Sequence, residues 1–225
     1  MEKSPADTPE RLAERSRGRP KIYSDEQRRQ TILDEARRTF TEEGFRGTTI
    51  AKVAARCKIS KQTIYESFES KIALFKAVVG DHRRMMLDLP RPADEDEPID
   101  IVIERIFRID IDEEMDRERD SFLTIIFAES KEVPELSDFI RNEGVEPSRR
   151  DLADWLNAQV ECGRLKIDNA ESAARMLMDM LLGPTGPGRF DWNTLEDRRR
   201  HLRWCIDFFL ASTEYDRSAS ACCGG

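Results

Sequence analysis

The sequence predicts an all-α chain, and three observations carry that prediction. Apolar residues recur at helical spacing through most of the 225 residues. Hydroxyl residues able to cap helix starts, and glycines or prolines able to stop helices, stand at the ends of those stretches. Between Thr48 and Phe68, two short apolar-faced stretches are separated only by Cys57-Lys58-Ile59, which leaves room for a tight turn and no further element.

Taken in order, the first helix starts at Ser24, where Gln27 completes a capping box. Ile32, Leu33, Ala36 and Phe40 form its buried stripe, and Gly44 is its stop. Thr48 and Thr49 offer start signals for a second helix with Ile50, Val53, Ala54 and Cys57 on one face. Ser60 caps a third, which buries Ile64 and Phe68 and leaves Lys61, Gln62, Thr63 and Glu66 outside. Ser70 caps a long fourth helix to about Leu87, with Ile72, Phe75, Val78, Val79 and Met86 on its apolar side. Residues 89–98 hold three prolines and four acids, and mark a boundary between a head at 24–88 and a body at 98–214.

The body reads as helical again. Ile99, Val102, Ile103, Ile106 and Phe107 make one stripe, and the acidic stretch from Asp110 to Asp120 is exposed or a loop. Phe122, Leu123, Ile125, Ile126 and Phe127 are too apolar for a surface helix. Pro134 opens the next helix at its first position, and Pro147 kinks or interrupts it. Leu152, Trp155, Leu156 and Val160 continue the core toward a stop at Gly163. Helices at about 170–182 and 194–212 carry apolar stripes wider than one small body needs to bury, Trp204 and Phe208 included, which points to a partner subunit. Residues 215–225 form a small polar tail with the pair Cys222-Cys223.

Composition bounds the chemistry. No apolar run approaches the roughly 18 residues of a membrane span, and the start lacks a secretory segment, so a cytoplasmic location with reduced thiols is expected. Five cysteines without metal spacing and two histidines give no support to a zinc or haem site, and no cofactor is implied. No nucleophile paired with a base and no glycine-rich phosphate loop argues for an enzyme. The net charge of −8 is unevenly placed: residues 1–84 carry 19 Lys or Arg against 13 Asp or Glu, whereas residues 85–225 carry 18 against 32. A basic head on an acidic body fits a nucleic-acid-binding unit joined to one that does not bind nucleic acid.

The outer residues of the helix pair supply that chemistry. Lys61 can reach a phosphate or a guanine edge, Gln62 can pair bidentately with adenine, and Thr63 can offer a methyl to thymine or a hydroxyl to phosphate. Thr48, Thr49 and Ser60 stand at the helix starts. A helix-turn-helix seats such a second helix in the major groove. In residues 1–23, Arg15-Ser16-Arg17-Gly18-Arg19-Pro20-Lys21 is a slim basic patch, suited to an arm in the minor groove with Arg17 and Arg19 pointing inward.

Here a resemblance becomes specific. Phe45-Arg46-Gly47-Thr48-Thr49, Ile50-Ala51-Lys52-Val53-Ala54, Ile59-Ser60-Lys61-Gln62-Thr63-Ile64-Tyr65 and Phe68-Glu69-Ser70-Lys71-Ile72-Ala73-Leu74-Phe75 together resemble the signature of the tetracycline-repressor (TetR) family of bacterial transcription regulators, with a reading pair at about 49–68. The likeness runs from Gln30 to Met86. Lys58 stands where a turn glycine is usual, so a non-glycine residue has to accept a positive φ. Ser67 replaces a frequent histidine. The resemblance implies that Tyr65 and Lys71 contact the DNA backbone, and that the last two long helices pair across a two-fold axis. Phe127-Ala128-Glu129, Pro134-Glu135-Leu136 and Gly163-Arg164-Leu165 more loosely resemble efflux-pump regulators with an AefR-like C-terminal half.

The expected function is a homodimeric repressor on an inverted-repeat operator in double-stranded DNA, released when a small hydrophobic or amphipathic ligand shifts the head spacing. Phe107, Phe122, Ile126, Phe127, Trp155 and Met178 are the candidate pocket liners, with Glu129 as a carboxylate for a cationic group. The alternative is a chromosome-organising or cell-division factor anchored through the same head.

Overall fold

The computed structural model describes residues 24–92, 95, 97–183, 192 and 194–215. Arg17, Arg19, most of the 183–191 loop and Cys222-Cys223 lie outside the described residues. Among the described residues every regular element is helical.

Four helices make the N-terminal part: α1 (Asp25–Gly47), α2 (Ile50–Cys57), α3 (Lys61–Tyr65) and α4 (Lys71–Met86). Each starts on the hydroxyl expected of it. Ser24 and Gln27 close the capping box on α1, and Thr49, Ser60 and Ser70 accept from backbone N–H groups three residues on. Gly44 does break α1, with φ 68°, but a last turn continues past it to Gly47. Ile32, Ala36, Phe40, Val53, Ile64, Leu74, Phe75 and Val78 are fully buried between these helices.

The C-terminal part holds α5 (Ile99–Ile106), α6 (Glu113–Glu132), α7 (Pro134–Phe139), a π-helical segment (Ile140–Val145), α8 (Glu146–Glu161), α9 (Ala170–Leu182) and α10 (Leu195–Ala211). The acidic stretch expected to be exposed or a loop is helical from Glu113 and includes Arg119, which is buried. Asp112 caps that helix, and three acids in its first turn suit the helix dipole. Pro147 interrupts as expected, by a specific device: it sits in the first turn of α8, and the π-helical segment before it accommodates a residue that cannot donate to the preceding turn.

Two apolar cores result. One is built by α5, α8, α9 and α10 with Met86 and Leu87 from the end of α4. The other fills the space among α1 to α4, and Phe122, Ile126, Leu136 and Ile140 pack into it from α6, α7 and the π-helical segment. The face of α6 that is apolar from Phe122 onward is therefore directed against the head. Arg83 of α4 adds a charged link, ion-paired with Asp151 and donating to the Ser148 hydroxyl at 2.8 Å. The thiols of Cys57 and Cys205 are free, whereas Cys162 is disulfide-bonded, which corrects the expectation of reduced thiols throughout.

Candidate nucleic-acid interface and interior cavity

The turn between α2 and α3 decides which side chains α3 presents. Lys58 adopts φ 55° and ψ 39°, its N–H donates to Ala55 O at 3.2 Å, and the N–H of Ile59 donates to Ala54 O at 3.0 Å. This pattern satisfies two carbonyls at the end of α2 and reverses the chain within one residue. The left-handed conformation costs a lysine more than a glycine. Lys58→Gly is accordingly expected to raise stability by about 0.5–1 kcal/mol, read as a higher urea midpoint at unchanged m-value; a lower midpoint refutes the strain.

Beyond the turn, Ile64 and Phe68 are buried and hold α3 on the core, with the Arg29 guanidinium 4.5 Å from the Phe68 ring. Their burial turns Lys61, Gln62 and Tyr65 outward, all three exposed, and Thr49 at the start of α2 is exposed as well. Ser60 and Thr63 are tied to each other: Ser60 Oγ accepts from the Thr63 N–H at 3.1 Å, and the two hydroxyls lie 2.9 Å apart. Thr63 is half-buried, so its outward group competes with the cap.

Two expected contact residues bond to carbonyls of the protein itself. Thr48 is buried, and its hydroxyl donates to Gly44 O at 2.8 Å and is 3.2 Å from Thr39 O, because the chain leaving α1 needs these carbonyls satisfied. The N-cap of α2 is Thr49 alone. Lys71 donates from Nζ to Phe45 O at 2.7 Å and Thr48 O at 3.0 Å, and rests 4.4 Å from the centroid of the Phe45 ring. Burial pushes its pKa below the ordinary lysine value, against an opposing pull from Glu129. The cation in the first turn of α4 is thus answered by carbonyls, an aromatic face and a carboxylate of the protein itself.

Glu129 is the residue the sequence placed most differently. Its Oε1 accepts from the Phe45 N–H at 2.8 Å, and lies 3.1 Å from where a Cβ on Gly44 would sit. It clasps the α1–α2 junction, and does not face the cavity. Nearby, Arg46 and Glu132 pair at 3.4 Å and Lys76 and Glu135 at 2.8 Å, so the end of α6 and the start of α7 grip the head through charge.

A cavity of about 110 Å³ lies between α4, α6, the π-helical segment and α9, with almost wholly apolar walls. Of the candidate liners, Ile126, Phe127 and Met178 lie on its wall. Phe107 and Trp155 instead pack in the C-terminal core, and Phe122 lies against Phe75 and His82 in the other, since each falls on the helix face nearest that core. The sequence reading missed His82, which lines the cavity from α4. It falls three residues after Val79 and four after Val78, on the apolar side of the helix, and that spacing was the available signal.

On α10 the exposed side carries aromatic rings in series. Trp204 and Phe208 are 60% and 62% exposed and stack at 5.6 Å, and His201 lies 6.2 Å from Trp204. Met176 of α9 is exposed as well. Among the described residues, no helix is long and apolar enough to cross a membrane, and no cluster of His, Cys, Asp or Glu could hold a metal ion.

Comparison with known proteins agrees with this geometry. The family of bacterial regulatory proteins called tetR matches residues 32–78, and the C-terminal domain of AefR-like transcriptional repressors matches residues 115–212; together the matches span more than half of the chain. The HTH-type transcriptional regulator UidR of Escherichia coli K12 is 27% identical over 157 residues, covering 69% of this chain and 78% of UidR. Salmonella enterica GusR shares the fold with a TM-score of 0.62 at 21% identity, covering 85% of this chain and 99% of its own. The flavonoid-responsive regulator FrrA does so with a TM-score of 0.56 at 23% identity, covering 85% and 98%. A helix-turn-helix with an exposed polar reading helix, on an all-helical chain matched at both ends by one family, makes this protein a DNA-binding transcriptional regulator of the TetR family with an AefR-like C-terminal domain.

Proposed function

We propose that the protein is a homodimeric repressor that leaves an inverted-repeat operator when a small apolar molecule enters the cavity. The head at 24–88 reads DNA through Thr49, Lys61, Gln62 and Tyr65, with Arg17 and Arg19 in the minor groove, and the body at 98–214 binds the effector and the second subunit. The observation that carries this reading is the course of α4. Its first turn is fastened to the α1–α2 junction through Lys71, and its later turns line the cavity through Val79, His82 and Met86. A molecule that alters the packing of the later turns acts on the same rigid helix that positions the reading pair. FrrA, which shares the fold, is described as flavonoid-responsive, and a ligand-operated body is consistent with that.

Selection of random duplex DNA by the full chain at about physiological salt tests the reading, since non-specific phosphate binding is weak there. One enriched inverted repeat is the expected result. Enrichment of a single unrepeated site, or of nothing, overturns it.

The second subunit is placed on the exposed faces of α9 and α10, where Met176, Trp204 and Phe208 leave apolar surface in water. Trp204→Glu with Phe208→Glu is expected to yield a monomer at concentrations where the parent sediments as a dimer, because buried aromatic anchors contribute on the order of 2 kcal/mol each to an interface. An unchanged sedimentation coefficient assigns the dimer to another face.

A further inference from the structure

We infer that the cavity between α4, α6 and α9 takes a neutral single-ring aromatic compound carrying one hydroxyl, a phenol, in preference to a cation, an anion or a fused polycycle. The inference rests on the effector reading above and specifies the class of compound. Size comes first. The accessible space of about 110 Å³, in a pocket partly open to solvent, is somewhat smaller than the roughly 150 Å³ apolar cavity that holds benzene in another protein, so it suits one ring rather than a fused polycycle.

Charge comes next. The carboxylate expected to meet a cation, Glu129, is engaged at Phe45, and the charged wall residue Arg83 is paired with Asp151 and bonded to Ser148. Among the described residues that line this apolar space, an ion finds no unpaired counter-charge to offset the hydration it gives up against the walls. Neutral compounds are therefore selected.

The hydroxyl follows from His82. The residue is only 2% exposed, and among the described residues neither ring nitrogen has a hydrogen-bond partner. Burial, together with Arg37 and Arg119, pushes its pKa down to about 3, so the ring is neutral and offers one donor and one acceptor. The ring packs edge-on against Phe122 at 4.9 Å and is among the residues lining the cavity, and histidine χ2 is broad, so binding requires a rotation that turns a nitrogen toward the ligand. A hydroxyl can answer either nitrogen, and a buried polar group without a partner favours a ligand that supplies one.

The test is titration of the full chain, without DNA, with phenol, toluene, benzylammonium and benzoate, followed by calorimetry and by the imidazole ¹⁵N shifts of His82. Phenol is expected to bind about tenfold more tightly than toluene, to move the His82 shifts, and to outcompete both ions. His82→Phe should bring phenol down to the toluene level. A Cβ at Gly144 meets no atom within 4 Å, so Gly144→Leu fills open space at the cavity wall and should weaken both neutral compounds. Phenol that fails to bind, that leaves the His82 shifts unmoved, or that binds no better than benzylammonium or benzoate overturns the inference. Operator release is scored separately: phenol that binds as described but leaves the operator complex intact upholds the site and overturns the release reading.

Discussion

Replacing Lys61, Gln62 and Tyr65 together by alanine is expected to abolish specific operator binding while the fold and the parent's oligomeric state persist. The three side chains leave one exposed face of α3, and the helix is held from the other side by Ile64 and Phe68, which the substitutions leave in place. Alanine also favours the helix. A bidentate base contact discriminates by about 1–3 kcal/mol, and charge-assisted phosphate contacts add to it, so the combined loss is on the order of a thousandfold. Fluorescence anisotropy on the selected inverted repeat measures it, with a thermal melt and sedimentation as controls. Binding retained within about tenfold of the parent, by a variant that still melts and sediments normally, would remove α3 as the reading helix.

Acid sensitivity traceable to His82 is the second large effect. The imidazole has a folded-state pKa of about 3, well below its ordinary value of 6.5, because burial and then Arg37 and Arg119 disfavour the charged ring. Below pH 6.5 the unfolded chain binds a proton that the folded chain does not. Full stability is therefore present above pH 6.5 and is lost as pH falls toward 3, at roughly 1.4 kcal/mol per pH unit. Between pH 6.5 and 5 this group costs about 2 kcal/mol. The comparison is with His82→Phe, whose urea stability should fall less over that interval by about the same 2 kcal/mol. Parallel pH profiles for parent and variant would mean that the ring finds a partner in the folded state.

Much of the reading pair is legible in the residues themselves. Ser24, Thr49, Ser60 and Ser70 cap the helices they precede, because a hydroxyl three residues before a free N–H acts within one turn and needs nothing distant. The positive φ of Lys58 follows from a three-residue connection that has to reverse direction, whatever residue occupies it. The outward set Lys61, Gln62 and Tyr65 follows from the helical period once Ile64 and Phe68 are known to be inside.

Position along a helix does not say which neighbour a side chain will meet. Thr48 and Lys71 look like DNA contacts in sequence, and both also bond to carbonyls at and just after the end of α1. Glu129 reads as a pocket carboxylate, yet it closes on the Phe45 N–H 84 residues away, where a glycine with φ 68° leaves room for it. His82 reads as one more position on a stripe, and becomes the buried imidazole beside the cavity only when α4 and α6 cross.

The sequence by itself determined the all-helical class, the caps, the reading pair and its outward residues, because these depend on interactions within one or two turns of chain. Only the tertiary structure decided which charged groups stay exposed beside the turn, which bond to the neighbouring helix and where the cavity lies. Those outcomes depend on how helices distant in sequence cross, and on the partners each crossing leaves for a buried polar group.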